Sequence, residues 1–464
     1  MSATGSPRSA VKAAALALNL GLLAIPMSML GAAAPAEAGE VTVAADLGQS
    51  VISAKGGKVY LRLSLKAVEA AQRREARTPV NVALVLDRSG SMQGERIKAA
   101  RQAAEMALGR LGTEDTVALV AYNHNVDILQ PAQRLTSQAG LREAIAGLEA
   151  NGNTALYAGV VEGGRQVEKN LNHKRINRVI LMSDGLANVG PSSVEELSAL
   201  GQKLGGKGMS VTTIGLGLGY NEDLMQRLAL ASDGNHAFAE NPEDLVEIFN
   251  SEFGDTLSIA AQDIEIIIEC RNGFTPKRIL GRTADISGNR ITLKLNQLSG
   301  GNERYLVAEL EADAVSGIEA GDVARVSVRY LNLDGGERRD AEVNVTARFS
   351  DKDETVGGSV NKAVMSQVAA QIATENSERA VKLRDEGDID GARKVLQDNA
   401  QYLAKSREDY GKGSGAAAAP LIGTLGELET QNAEAASKLD SEDWAKTRKT
   451  MRYEQHKVKR QQSY

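Results

Sequence analysis

Two short runs without polar interruption constrain this chain more than any other feature, Val82-Ala83-Leu84-Val85-Leu86 and Val179-Ile180-Leu181-Met182, and Val211-Thr212-Thr213-Ile214 is read as a third strand. A strand without polar alternation is covered on both faces, as a central strand of a parallel sheet is. Between the runs, apolar residues recur at helical spacing, as with Ile97, Ala100, Ala104 and Leu108 in the segment 95–111. Further helices are expected at 141–148, 155–170, 194–204, 222–231 and 243–253, and further strands at 117–122 and 236–239. Repeated strand–helix alternation predicts an α/β doubly wound, Rossmann-like domain over 79–255.

The period changes on both sides of this region. Val59, Leu61, Leu63 and Leu65 alternate with Tyr60, Arg62, Ser64 and Lys66, the pattern of a half-buried antiparallel strand. Two-residue alternation returns with Ile264, Ile266, Ile268 and Cys270, then at Val326–Tyr330 and Ala341–Phe349. A lone strand is not stable by itself. The segment 39–78 is therefore expected to join an antiparallel β-sandwich at 256–350, leaving the α/β domain inserted between its strands. From 351 the pattern is helical. A hairpin is expected at 351–412, a Gly/Ala-rich linker at 413–420 and a helical, basic tail at 421–464.

Residues 1–38 have the layout of an export signal: Arg8 and Lys12, an uncharged Ala/Leu-rich stretch from Ala13 to Leu30, and Ala36-Glu37-Ala38 as a cleavage pattern. No later segment is apolar for long enough to span a bilayer. A periplasmic or secreted protein is expected. The formal charge is −6 and aromatics are 3% of residues, which argues against a nucleic-acid partner. One cysteine, Cys270, excludes an internal disulfide framework and a multi-cysteine metal site. With four histidines and no His-Glu-x-x-His, a multi-histidine metal site is not expected either.

The chemistry concentrates in three loops. Asp87-Arg88-Ser89-Gly90-Ser91 follows the first buried run, Thr154 opens a helix within Gly152-Asn153-Thr154-Ala155-Leu156, and Ser183-Asp184-Gly185 follows the second run. Ligands of open α/β sheets bind beyond the carboxyl ends of strands. The loops can thus gather two carboxylates and three hydroxyls with little nitrogen or sulfur. Oxygen donors of this kind suit magnesium, manganese or calcium and disfavour zinc and copper. A cation that retains water or an open position can accept an Asp or Glu from a partner. Asp and Ser after a strand also cap helices; three such loops in order go beyond capping.

These motifs resemble the metal-ion-dependent adhesion site of von Willebrand factor A domains, over about 80–253. The resemblance implies direct ligation by Ser89 and Ser91, state-dependent ligation by Thr154, and Asp87 and Asp184 holding the ion, often through water. It implies a divalent cation, magnesium before manganese or calcium, and a protein partner offering Asp or Glu. It also implies that a final helix, here 243–253, shifts on engagement. The layout is similar to bacterial secreted proteins related to calcium-activated chloride channel regulators and inter-alpha-trypsin inhibitor heavy chains. The channel regulators' protease motif is absent, so no proteolysis carries over. A recognisable N-terminal domain like that of the inhibitor heavy chains is absent as well.

The expected function is a non-enzymatic binding protein acting in adhesion or at the envelope. The alternatives are an envelope assembly factor acting through its C-terminal helices and a metal-assisted hydrolase, against which no base stands out near the loops. Among other residues, Arg88 can reach an anionic partner or remain solvated. His124 and His236 are read as surface or core residues, and Cys270 as an inert buried thiol. Gly215-x-Gly217 lacks a phosphate-loop Lys-Ser. The seven Lys and Arg residues from Lys446 onward, against Glu454 alone, are read as a solvated helix end or a tether to an acidic surface.

Overall fold

The computed structural model describes residues 36–38, 41–67, 78–245, 247, 248, 254, 258–316, 320–333, 335–415 and 418–463. Most of the expected export signal, the connector 72–77 and most of the helix expected at 243–253 lie outside the described residues.

Four strands come first: β1 (Ala36–Ala38), β2 (Val41–Leu47), β3 (Val51–Ser53) and β4 (Gly57–Ala67). The α/β domain follows with β5 (Val80–Asp87), α1 (Glu95–Gly109), β6 (Thr116–Tyr122), β7 (Val126–Arg134), α2 (Ala139–Ala146), α3 (Leu156–Glu168), β8 (Ile176–Ser183), α4 (Val194–Gly206), β9 (Ser210–Leu216), α5 (Glu222–Ala231) and β10 (His236–Ala239). Its sheet runs β10-β9-β8-β5-β6-β7. All pairs are parallel except β6 with β7. The antiparallel edge strand β7 was not expected from sequence, because Gln130-Pro131-Ala132-Gln133 breaks the apolar pattern. Proline is tolerated at an edge, where no ladder donor is needed.

Strand β5 carries both cores of this domain. Val80, Val82, Leu84 and Leu86 pack with α1 and α2 on one face, while Ala83 and Val85 pack with α3, α4 and α5 on the other. The next strand in sequence lies on one side of β5 and β8 on the other, so the strand order reverses there. The carboxyl end of β5 opens into the crevice that such a reversal creates.

A second body consists of two sheets. Strands β11 (Ile259–Cys270), β12 (Phe274–Ile279), β13 (Asp285–Ser287), β14 (Arg290–Ser299), β15 (Glu303–Ala312), β16 (Ala320–Asn332) and β17 (Glu337–Ser350) supply most of it. One sheet is β1-β2-β4-β15-β12 and the other β13-β14-β11-β16-β17-β3. Leu61, Leu63 and Leu65 from β4 share one apolar core with Ile264, Ile266, Ile268 and Cys270 from β11. β4 pairs with β15 from Gly57 opposite Ala312 to Lys66 opposite Glu303. Strands on both sides of the α/β domain in sequence thus pair in this body. Sequence reading found β4 but not β1 to β3.

Helices α6 (Asp353–Gly358), α7 (Lys362–Asp385), α8 (Ile389–Gly411), α9 (Ala419–Lys438) and α10 (Trp444–Lys459) precede a last short strand, β18 (Gln462–Ser463), which pairs with β15. Asn361 and Asp388 cap α7 and α8 by accepting N–H bonds from Val364 and Gly391. Leu403, Leu425 and Leu428 join Ala369 and Ala373 in one cluster. Ala380, Leu396, Leu439 and Trp444 join another. Helix α9 begins within the expected linker, and α9 and α10 pack on the hairpin.

Four cations of the basic end pair with acids elsewhere in the chain, while Lys446 and Lys457 remain exposed. Arg448 pairs with Glu222, Asp223 and Asp385, Lys449 with Glu222, Arg452 with Asp223, and Lys459 with Glu378. A run of cations looks the same in sequence whether it faces water or acids of its own chain. Here α10 docks on α5. No helix among the described residues is long and apolar enough to cross a membrane.

Candidate metal centre

Asp87 ends β5 and is fully buried. Its Oδ1 accepts the Ser89 N–H at 2.8 Å, and its Oδ2 accepts the Ser183 hydroxyl at 2.6 Å. The chain then turns through a single 3-10 turn, Gly90–Met92, anchored by the buried Met92. This presents Ser89 and Ser91 with their Oγ atoms 3.1 Å apart. Ser91 donates to Asp184 Oδ1 at 2.7 Å.

The loops are fixed to one another by backbone bonds. Arg88 N–H donates to Tyr122 O at 2.8 Å, Asn151 N–H to Arg88 O at 2.8 Å, and Gly90 N–H to Gly152 O at 2.9 Å. Gly152 has φ +75, a left-handed turn that favours glycine. Thr154 is held by its own N–H, which donates to Asn188 Oδ1 at 2.8 Å in the loop after Asp184.

The convergence is clearest at Gly185. A Cβ there would lie 3.2 Å from Thr154 Oγ1, 3.3 Å from Ser91 Oγ and 3.7 Å from Ser89 Oγ. Three hydroxyls from two loops therefore face one small space left free by the missing side chain, with Asp184 of the third loop beside it. The structure brings together all five residues singled out in the sequence. Among the described residues, no group of three or more His, Cys, Asp or Glu could hold a metal. The oxygen-only set of hydroxyls and two carboxylates fits a hard divalent cation that keeps some of its waters.

The two carboxylates differ in their neighbours. Burial pushes the Asp87 carboxyl up to about 6, helped by the Asp184 charge and opposed by the Ser183 and Ser89 hydrogen bonds. No lysine or arginine among the described residues pairs with it. Asp184 Oδ2 accepts a bond from Arg96 Nη1 at 2.6 Å. Sequence reasoning missed Arg96. Its only signal is its place at the start of the helix that follows the Asp-x-Ser-x-Ser loop. Tyr122 was read as the end of a strand, but its fully buried side chain belongs to the floor of the site. Burial and the Asp87 charge push its hydroxyl far above the ordinary range.

Other expectations fall elsewhere. Arg88 pairs with Asp127 at the rim. His124 is exposed beside the same loops, since a Cβ on Gly152 would lie 2.2 Å from its Nδ1. His236 is buried away from the hydroxyls, with its Nδ1 2.9 Å from Thr213 Oγ1. Gly215 is required because the Tyr220 ring would lie 2.3 Å from any Cβ. Cys270 is buried in the two-sheet core, where burial pushes its thiol up to about 11.

The model of the von Willebrand factor type A domain matches residues 81–251. Uncharacterized protein sll0103 of Synechocystis is 26% identical over 208 residues, 45% of this chain and 49% of that protein. Human inter-alpha-trypsin inhibitor heavy chain H3 is 29% identical over 170 residues, 35% of this chain and 19% of that one. The chain thus spans half or less of the length of these curated relatives. The solved von Willebrand factor type A protein from Catenulispora acidiphila superposes with a TM-score of 0.67 at 17% identity, covering 86% of this chain and 97% of that one. That likeness extends the shared fold well beyond the α/β sheet. Residues 81–251 of this chain form a von Willebrand factor type A domain.

Proposed function

We propose that this chain is an exported, non-enzymatic binding protein in which Asp87, Ser89, Ser91, Thr154 and Asp184 hold a divalent cation, and that the cation takes an acidic side chain of a partner protein. The observation that carries the reading is the space beside Gly185, faced by three hydroxyls, with Asp184 next to it and the buried Asp87 tied to the same loops through Ser89 and Ser183. Domains of this family engage protein partners, and their adhesion-site motif binds divalent cations. Magnesium is the first choice, because few charged donors and retained waters suit it. We read the α/β domain as an insertion in the two-sheet body, which would present the site at one end of a rigid support.

The alternative is an envelope assembly factor acting through its C-terminal helices, and deletion of 361–464 separates the two: partner binding lost with the cation site intact would favour it. The test is a pull-down from envelope extract with the purified protein, in magnesium and then in EDTA. Partner retained only in magnesium, and lost with Asp87→Asn, supports the reading. A partner held equally in EDTA overturns it.

A further inference from the structure

The two most exposed large hydrophobic side chains among the described residues are Leu186, at 57%, and Leu218, at 49%. They lie on separate loops, yet both adjoin the candidate metal centre. Leu186 follows Asp184-Gly185 directly, and Gly185 is where the three hydroxyls meet. Leu218 stands between two glycines that touch the same centre. A Cβ on Gly219 would lie 2.8 Å from Asp184 O, and one on Gly217 would lie 3.2 Å from Nη2 of Arg96, the partner of Asp184. Consecutive residues are about 3.8 Å apart, so both leucines sit within a residue or two of Asp184.

Their surroundings share a character. From Gly185 to Ser193, and again from Gly215 to Asn221, no residue carries a charge. The chain elsewhere is 25% charged. Single exposed apolar residues are ordinary, but two on neighbouring loops at the mouth of a polar site form a patch. Leu216, one residue before Gly217, is buried in the sheet core, so the exposure of Leu218 is not imposed by a lack of core nearby. Positive charge lies on the same rim: Arg96 is 38% exposed.

We infer that Leu186 and Leu218 form an apolar rim that selects partners whose metal-binding Asp or Glu is flanked by large apolar side chains. The inference rests on the proposed cation site. The cation and Arg96 attract the carboxylate, and the leucines bury its neighbours. An acid set among polar residues would gain only the first contact. The rim thereby separates partners that the cation alone would treat alike.

The test uses the whole chain and a phage-displayed pool of random peptides, washed in magnesium and eluted with EDTA. The expected eluate is enriched in Asp or Glu with Leu, Ile, Val or Phe within two positions. Selected peptides should bind Leu186→Ser/Leu218→Ser about tenfold more weakly, an effect within reach of two lost apolar contacts. Magnesium affinity should be unchanged in that variant, because neither leucine is in the donor set. Acidic peptides without apolar enrichment, or equal binding by the double variant, would overturn the rim while leaving the cation site standing. An EDTA eluate with no acidic enrichment would overturn both.

Discussion

Asp87 and Asp233 are both carboxylates withdrawn from water in the same α/β domain, and the chain treats them in opposite ways. Asp233 follows α5 where this domain meets the two-sheet body. It accepts the Arg304 guanidinium at 2.8 Å and the Asn296 N–H at 2.8 Å, with Arg282 at 3.8 Å. Burial alone would push its carboxyl up, but Arg304, Arg282 and Arg460 outweigh burial and hold it at about 2. Asp87 has hydroxyls and one backbone N–H instead, and burial carries it to about 6. Where a carboxylate joins two bodies, the chain supplies the cations. Where it ends the central strand, the described residues supply none. A buried charge left uncompensated is costly, so its presence at a strand end is a mark of external partnership.

The strongest way to sharpen this contrast is Asp233→Asn. Asparagine tolerates the positive φ of 54 at this position and keeps the size while removing the charge. The loss should be about 3–5 kcal/mol in urea unfolding, because Arg304 is only 2% exposed and loses its counter-charge. The sign with pH follows. The Asp233 carboxyl is lower in the folded chain than its ordinary 3.8, so its stabilisation is complete above about 4 and is lost as pH falls toward 2. Acid unfolding of Asp233→Asn should lack that component.

The matching change at the other carboxylate should behave differently. In EDTA, Asp87→Asn is expected to melt at or above the wild-type temperature, since it removes a buried charge with no cation. In magnesium at a hundredfold excess over its Kd, the wild type should gain about 2.7 kcal/mol and Asp87→Asn nothing. Differential scanning calorimetry reads both. A destabilised Asp87→Asn in EDTA would break the comparison.

Smaller effects refine it. Gly185→Ala places a methyl group 3.2–3.7 Å from the three hydroxyl oxygens. It should weaken magnesium binding about tenfold, or 1.4 kcal/mol, with little change in melting in EDTA. Lys446→Ala removes a half-exposed pair with Glu240 on the docked helix. Thermal unfolding should move by no more than about 0.5 kcal/mol, in contrast to the buried Asp233 cluster.

The parts of this molecule legible in its sequence are those whose signal is local. Buried runs mark β5 and β8, and the residues after them, with Thr154 at a helix start, mark loops at one sheet edge, so Asp87, Ser89, Ser91, Thr154 and Asp184 are legible together. What could not be read depends on distant partners. Strands β1 and β3 have three residues each, too few to show a period, and β2 is interrupted by Ala44-Ala45 so that its alternation stands out only once it pairs with β4. Arg448 and Glu222 lie 226 residues apart, and no local pattern announces that they meet. Arg96 looked like any polar residue opening a helix, because its acceptor is on another strand's loop. The exposure of Leu186 and Leu218 likewise has no local signal, because it depends on how two separate loops meet.

The most direct test of the central claim is calorimetric titration of magnesium into the EDTA-stripped, dialysed chain, with Asp87→Asn alongside. The account predicts one site per chain in the wild type and no saturable heat in the variant. Equal binding by both proteins, or none by the wild type, would contradict it.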